Sequence, residues 1–339
     1  MSNYDDKYEI RIARESDIAD IMLFIEKYWK PGHIMARNRA LFEYEFLEED
    51  GTVNFALAID REKGTIEGLN GFLKASHDRE HLDIWGSIWK VLDGNMVMLG
   101  AEITRRRDML TGCRCGLGVG DNPKTAIPVL RTMLKRYTAK MSHFYMLSAI
   151  EEFKIAKIVE RPRKIKTGKQ FSVIKLNNIE ELGERFTCEN FIETRPYKDL
   201  WYINHRYFMH PIYKYAVYGI EDEQGVVNAL IVLRNQDYKD RVAIRFVDYI
   251  GEARLLSGTG QFFEGLLKDS KCEYVDFYCF GLEEDYVRNA GFTLLTDNDH
   301  NIIPNYFSPF CQENIDIWVD SSDFNSVFFK ADADQDRPN

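Results

Sequence analysis

FALAIDREKGTIEGL, Phe55 to Leu69, and AVYGIEDEQGVVNAL, Ala216 to Leu230, are one local design written twice. Each is an apolar run, an acidic turn carrying a glycine, and a second apolar run, which is the pattern of a β-hairpin. Gly64 and Gly225 lie 161 residues apart, and the same offset pairs Asp60 with Glu221, Glu62 with Glu223, Ile66 with Val227 and Leu69 with Leu230.

The flanking segments repeat in the same order. Before the first hairpin, Tyr8–Arg14 alternates like a strand. Ser16 then reads as the N-cap of a helix with Ile18, Ile21, Met22 and Ile25 on one face, ended by Trp29-Lys-Pro-Gly32. Arg37–Glu48 is expected to form a second helix. After the hairpin come a long strand (Leu82–Leu92), a loop running into a helix (Gly94–Leu110), a strand (Cys113–Val119), a helix (Asn122–Arg136) and a last strand (Lys140–Leu147). Strict alternation along Leu82–Leu92 would put Asp83, Trp85, Ser87, Trp89 and Val91 on one face. Behind the second hairpin stand a strand (Val242–Ile250), a glycine-bearing turn (Ser257–Gly260), a helix (Gln261–Lys268), a strand (Glu273–Phe280) and a helix (Glu283–Ala290). Duplication of one α/β unit of about 150 residues is the simplest account. The expected domains are 1–155 and 156–339. The boundary falls near the basic, Pro- and Gly-containing run Arg161–Lys169, which otherwise reads as a solvated turn.

Bulk numbers narrow the function. The chain has 339 residues, with 44 Lys and Arg against 54 Asp and Glu, for a net charge of −10. No dominant basic face is available to neutralise phosphates, which argues against a nucleic-acid partner. No apolar run approaches the roughly 20 residues of a membrane span, and MSNYDDKYEI lacks the apolar core of a signal peptide. Six cysteines at this length are too sparse for a disulfide scaffold, so a cytoplasmic location fits. Eighteen Tyr and 22 Phe supply large cores and material for a stacking site.

Several motifs are decoys. In GCRCGLGVGDNPKTA (Gly112–Ala126), Pro123 precedes Lys124-Thr125 where a Walker loop needs glycine, and the glycine spacing is wrong for a dinucleotide fingerprint. Asn122-Pro123 reads instead as a helix start. The alternate glycines let something approach the strand backbone closely, either a ligand or a neighbouring strand. Cys113 and Cys115 have no second pair to complete a zinc set, and His77-Asp-Arg-Glu-His81 displaces the glutamate of the H-E-x-x-H metal helix. No metal site is expected. No G-x-S-x-G elbow or Cys/His pair suggests a nucleophilic hydrolase.

The element order resembles that of the GNAT acyltransferases. Ile12-Ala-Arg-Glu-Ser-Asp17 looks like their opening strand-to-helix turn, and Asn54–Ala58 and Ile66–Gly71 look like strands two and three. Ile84–Leu92 followed by Gly94-Asn-Met-Val-Met-Leu-Gly100 occupies the place of strand four and the pyrophosphate loop. More narrowly, Trp85-x-x-x-Trp89-Lys, Met98-Leu-Gly100, Val119–Thr125, Lys140–Tyr145, Arg206-Tyr-Phe-x-His-Pro-Ile-Tyr213 and Asp334–Asn339 resemble tandem-GNAT proteins of bacterial surface-polysaccharide clusters. Those are CoA-dependent N-acyltransferases acting on nucleotide-linked amino-deoxysugars. The chain departs from the family in two places. Met96 and Met98 replace loop glycines, and Ile127–Met133 holds no tyrosine to serve as general acid.

The resemblance implies an α/β (α+β) fold of two GNAT-like domains, each a mixed, mostly antiparallel twisted sheet flanked by helices. It implies acyl-coenzyme A, carrying acetyl or a short hydroxyacyl group, bound by the first domain. Pantetheine would pair with Trp89, Lys90, Val91 and Leu92. The pyrophosphate would sit over Gly94, Asn95, Met96, Val97, Met98, Leu99 and Gly100 at a helix N-terminus, where amides and dipole favour an anion. Asn122, Lys124 and Thr125 would complete the site, and an amide near Val91 or Leu92 would face the oxyanion. Asp83 and His143 are the candidate bases. Trp85 and Tyr145 are candidates for the acceptor pocket. The second half, expected to lack a CoA site, would supply an acceptor wall through Arg206, His210, Tyr213, Arg245 and Asp248. The acceptor would be a nucleotide-linked amino sugar, with dTDP the expected nucleotide. An aminoacyl-tRNA-dependent transferase lacks its coiled-coil insertion here, and a non-catalytic tandem module is the remaining alternative.

Overall fold

The computed structural model describes residues 3–163, 168–333 and 335–338. Residues 164–167 of the basic run, and Asp334 and Asn339 of the terminal motif, lie outside the described residues. The chain divides into two compact units. Unit 1 is Met1–Ala139 with Trp318–Phe324 and Arg337–Asn339, and unit 2 is Lys140–Ile317 with Asn325–Asp336.

Unit 1 is built on strands β1 (Tyr8–Arg14), β2 (Thr52–Asp60), β3 (Ile66–Lys74), β4 (Asp83–Val91), β5 (Cys115–Val119) and β6 (Tyr137–Lys140). The order is β1-β2-β3-β4-β5, then the short strand Trp318–Ser321, then β6. β1 with β2, β2 with β3, β3 with β4 and β5 with Trp318–Ser321 pair antiparallel, and β4 pairs with β5 in parallel. Helices α1 (Ile18–Phe24, continued by a wide π turn over Ile25–Trp29) and α2 (Arg39–Phe46) bury Ile18, Ile21, Leu41 and Phe42 against Val53, Phe55 and Leu57 of β2. Helix α3 (Leu99–Thr111) covers the other face, where Leu99 and Ile103 meet Ala56 and Ala58. Both faces of β2 are therefore apolar, which is why it reads as a continuous rather than an alternating run. The expected helix after Asn122 is shorter, α4 (Ala126–Thr132).

Unit 2 repeats the plan with β7 (Ser142–Leu147), β8 (Ser172–Leu176), β9 (Ala216–Glu221), β10 (Val227–Tyr238), β11 (Arg241–Gly251), β12 (Cys272–Phe280) and β13 (Thr293–Leu294) in the order β13-β7-β12-β11-β10-β9-β8. Among the described residues its one parallel pair is β11 with β12. Helices α5 (Gly260–Leu266) and α6 (Glu284–Asn289) follow β11 and β12. The 161-residue offset between the hairpin glycines carries α1 onto Ile179–Arg185 and the start of α3 onto Gly260. Gly64 and Gly225 both adopt left-handed φ, +67° and +78°, as hairpin turns require.

The division of the chain differs from a cut at residue 155. The strand predicted to close the first domain, β7, pairs instead with β12 in unit 2, and its place beside β5 is taken by Trp318–Ser321. Each unit is completed by a strand from the other half of the sequence. Among the described residues no helix is long and apolar enough to cross a membrane, and none of the six cysteines is in a disulfide.

Candidate functional site

The parallel pairing of β4 and β5 begins at Asp83↔Cys115 and stops at Gly86↔Gly118. On its other edge β5 pairs with Trp318–Ser321 and ends at Val119, while β4 runs on to Val91 along β3. The two strands open like a V. At the apex β4 carries a bulge. Asn70 faces Trp89 and Phe72 faces Gly86, so Ser87 and Ile88 stand against Gly71 alone. A bulge leaves a residue out of the ladder and re-aims the side chains after it.

The bulge corrects the single-face reading of this strand. A Cβ on Gly86 would lie 3.0 Å from Arg107 of α3, and Trp89 packs on Gly100 at the start of α3, with its indole Nε1 3.1 Å from a Cβ built there. Gly86 and Trp89 thus share the α3 face, as does Val91. Asp83 and Trp85 alternate with Gly86 onto the other face, where Ile88 also packs. Trp85 is fully buried.

The loop after β4 is tied down from below. Asn95 donates to the carbonyls of Glu67 and Leu92, each at 3.2 Å, and accepts from Tyr8 Oη at 3.1 Å. Tyr4 Oη donates to the Val97 carbonyl at 2.6 Å. Met98, where the family pattern favours glycine, nevertheless has φ +62° and turns the chain into α3. Such a conformation costs a bulky residue about 1–2 kcal/mol. It starts a 13-residue helix beside the exposed Val97 and Met98, with the Leu99 amide donating to the Met96 carbonyl at 3.1 Å. Lys90 is half-buried and Leu92 packs on the α1–α2 side. The Leu92 amide donates to the Glu67 carbonyl at 2.9 Å. Asn122 Oδ1 accepts from the amides of Lys124 and Thr125 at 2.9 and 3.2 Å, closing its own exposed turn.

The alternate glycines of β5 are explained by ions. A side chain at Gly116 would collide with Arg136, and one at Gly118 with Asp320. Arg136 joins Asp320 (2.6 Å) to Asp108, and Asp108 is also paired with Arg107, whose Nη1 donates to Asn70 at 3.0 Å. The network lies directly behind the apex.

Neither expected base is placed to act as one. Asp83 has a fully buried carboxylate held by Arg114 through two bonds of 3.1 and 2.6 Å. A buried anion held by a guanidinium stabilises the junction of the two strands. His143 belongs to unit 2, buried and stacked on Tyr278 at 3.9 Å, and burial holds its pKa well below the usual imidazole value. The remaining expected residues also bond within unit 2. Tyr145 donates to Asp299 and accepts from Asn301. Arg206 donates to the carbonyls of Ala331 and Asp336. His210 Nδ1 accepts the amides of Ile212 and Tyr213, and Tyr213 lies under the Arg234 guanidinium. Arg245 binds Asp276 and Asn305, and Asp248 binds Lys198 and Tyr207.

Unit 2 also has a V, because β11–β12 pairing stops at Phe246↔Phe277. Its own chain fills it. Phe328–Phe329 pairs with the end of β12, and the Ala331 amide donates to the Val247 carbonyl at 2.8 Å, the kind of bond a linear amide ligand would make. Among the described residues no His, Cys, Asp and Glu group could hold a metal.

Sequence reasoning missed the turn after α1. His33 is buried, its Nδ1 accepts the Met35 amide at 3.2 Å, and Trp29 meets its ring edge-on at 4.7 Å. Arg337 Nη1 donates to Ser87 Oγ at 3.5 Å, which brings the terminal motif to the bulge. The only hint in the sequence was that motif itself.

His33 and His210 are pushed down to about 3, first by burial and then by neighbouring arginines, and His143 is lowered in the same direction. Imidazoles depressed on folding stabilise the fold above their unfolded value near 6.5 and lose that contribution as pH falls below it. The urea midpoint is therefore expected to drop between pH 6.5 and 5, and a His33→Gln chain should show a shallower drop. A flat profile across this range would contradict the burial of all three rings.

No protein-family model matches the sequence, and no curated protein matches it. Solved structures do resemble the fold. A GCN5-related N-acetyltransferase from Anabaena variabilis is 10% identical with a TM-score of 0.51, over 93% of this chain and 72% of that one. A probable N-acyltransferase from Enterococcus faecalis, otherwise described as a conserved protein of unknown function, is 6% identical with a TM-score of 0.53, over 94% and 73%. At these identities the likeness shows a shared fold, the mixed, mostly antiparallel GCN5-related N-acetyltransferase fold, over nearly the whole chain.

Proposed function

We propose that unit 1 is an N-acyltransferase that moves an acetyl or short hydroxyacyl group from acyl-CoA to an amine. The observation that carries this reading is the V between β4 and β5, opened at a bulge and roofed by a tied loop at the N-terminus of α3. The edge of β4 beyond its last pair with β5, Gly86↔Gly118, offers backbone groups to the two amides of pantetheine. The first-turn amides of α3 suit the pyrophosphate. The bulge at Ser87–Ile88 re-aims the backbone of β4, and we assign its amides the oxyanion of the tetrahedral intermediate.

The acceptor we propose is the amine of a nucleotide-linked 3-amino-3,6-dideoxyhexose, with dTDP as nucleotide, made for a surface polysaccharide. This rests on the short motifs of the sequence. Such an amine, with a pKa of about 8, is partly unprotonated at neutral pH, so water can take its proton and no dedicated side-chain base is required.

Calorimetric titration with acetyl-CoA and free CoA tests the reading. Micromolar binding with one site per chain is expected, because the second V is already filled. Gly100→Asp should abolish it by placing a carboxylate against the pyrophosphate and displacing Trp89. Absence of binding to any CoA species would leave a non-catalytic module as the correct description.

A further inference from the structure

The turn that follows α1 collects cations. Lys30 and Arg37 flank His33, and the Arg37 guanidinium lies 3.6 Å from a Cβ built on Gly32. Arg337 arrives from the end of the chain and reaches Ser87 at the bulge. All three are close enough to His33 to oppose its protonation, after burial, the largest cause. The His33 ring is held neutral, and since Nδ1 accepts the Met35 amide, its N–H is on Nε2. Glu26 is the carboxylate of the turn, and it accepts the Gly32 amide at 2.8 Å. Lys30, Arg37 and Arg337 therefore gather about one buried ring, in a chain whose net charge is −10.

A local positive rim on an acidic protein selects for a compact, multiply charged anion. Guanidinium groups bind phosphoryl oxygens in forked pairs, and a neutral imidazole N–H adds a donor without adding charge. We propose that Lys30, Arg37 and Arg337 around His33 form a binding site for the diphosphate of the acceptor, placing a nucleoside-diphosphate-linked amine beside the bulge. This rests on the acyl-transfer reading of unit 1 and names the acceptor's charged group. The same chemistry occurs in CoA, whose own phosphates are the competing source.

The test uses the full chain and dTDP as probe, titrated with and without saturating CoA, with inorganic pyrophosphate as a second probe. dTDP is expected to bind in the presence of CoA. Arg37→Gln and Arg337→Gln should each weaken dTDP about tenfold and leave CoA affinity unchanged. Lys30→Gln, at an exposed position, should weaken it by less and guards against a folding artefact. Two results would overturn the proposal. One is dTDP failing to bind once CoA is present, or binding unaltered by the variants. The other is the variants weakening CoA instead, which would assign the rim to the donor. A chain that binds dTDP through the rim but no CoA would refute the acyl-transfer reading and leave the anion site standing.

Discussion

Replacing Lys198 by methionine is expected to destabilise the protein by about 3–5 kcal/mol at pH 8, measured by urea unfolding. Lys198 is buried with its ammonium 2.6 Å from Asp248 and 2.7 Å from Asp332, and both carboxylates are fully buried. Removing the cation leaves two anions facing each other in a dry interior. The effect should depend on pH in a defined direction. Burial already pushes the Asp332 carboxyl up to about 6. An acid raised on folding contributes stability that is complete below its unfolded value near 4 and is lost as pH rises through 6. Without Lys198 this loss grows and moves to higher pH. The gap between the two proteins should therefore be small at pH 5 and full at pH 8. A gap that is constant with pH would mean that packing of the lysine stem, rather than its charge, is what matters. The site deserves this test because Asp332 anchors the segment that fills the second V, alongside Asp336 on Arg234.

What was legible in the sequence follows from how local its cause is. The two hairpins could be matched because an acidic turn closed by a left-handed glycine is decided within five residues. The α1 stripe was equally plain, since Ile18, Ile21 and Ile25 bury one helix face. The bulge at Ser87–Ile88 has no local signature. It depends on how β4 meets β3, and missing it put Trp89 on the wrong face. The exchange of β7 for Trp318–Ser321 was hidden for a related reason. Both segments look like strands, and only pairing across more than a hundred residues assigns each to its sheet. The loop after β4 and the helix behind it could be read as elements from their order, but the partners of Asp83 and His143 could not. A sequence displays a titratable residue without its counter-ion, and Asp83 finds Arg114 31 residues away.

The glycines of β5 offer the sharpest test of the network behind the apex. Gly118→Ala is expected to cost about 3 kcal/mol in urea unfolding, far more than one methyl group usually does. The added carbon would overlap Asp320 Oδ1 and lie 2.9 Å from Asp121 Oδ2. Asp320 cannot swing aside freely, because it is buried and its other oxygen is bonded to Arg136 at 2.6 Å. Either that ion pair breaks or the junction of the two parallel strands spreads. Gly94→Ala makes the control. Gly94 has φ +80° with nothing within 4 Å of a new Cβ, so only backbone strain of about 1–2 kcal/mol applies. Asp320→Ala supplies the second arm, since Arg136 keeps Asp108 as a partner. In that background Gly118→Ala should cost about 2 kcal/mol less than in the natural chain, a coupling typical of residues in contact. Because Gly86↔Gly118 is the last pair before the strands part, Gly118→Ala should also weaken CoA binding if the V is the cofactor site. Equal costs in both backgrounds would show that the glycine serves the strand alone, and the ion network would then lose its claim to shape the apex.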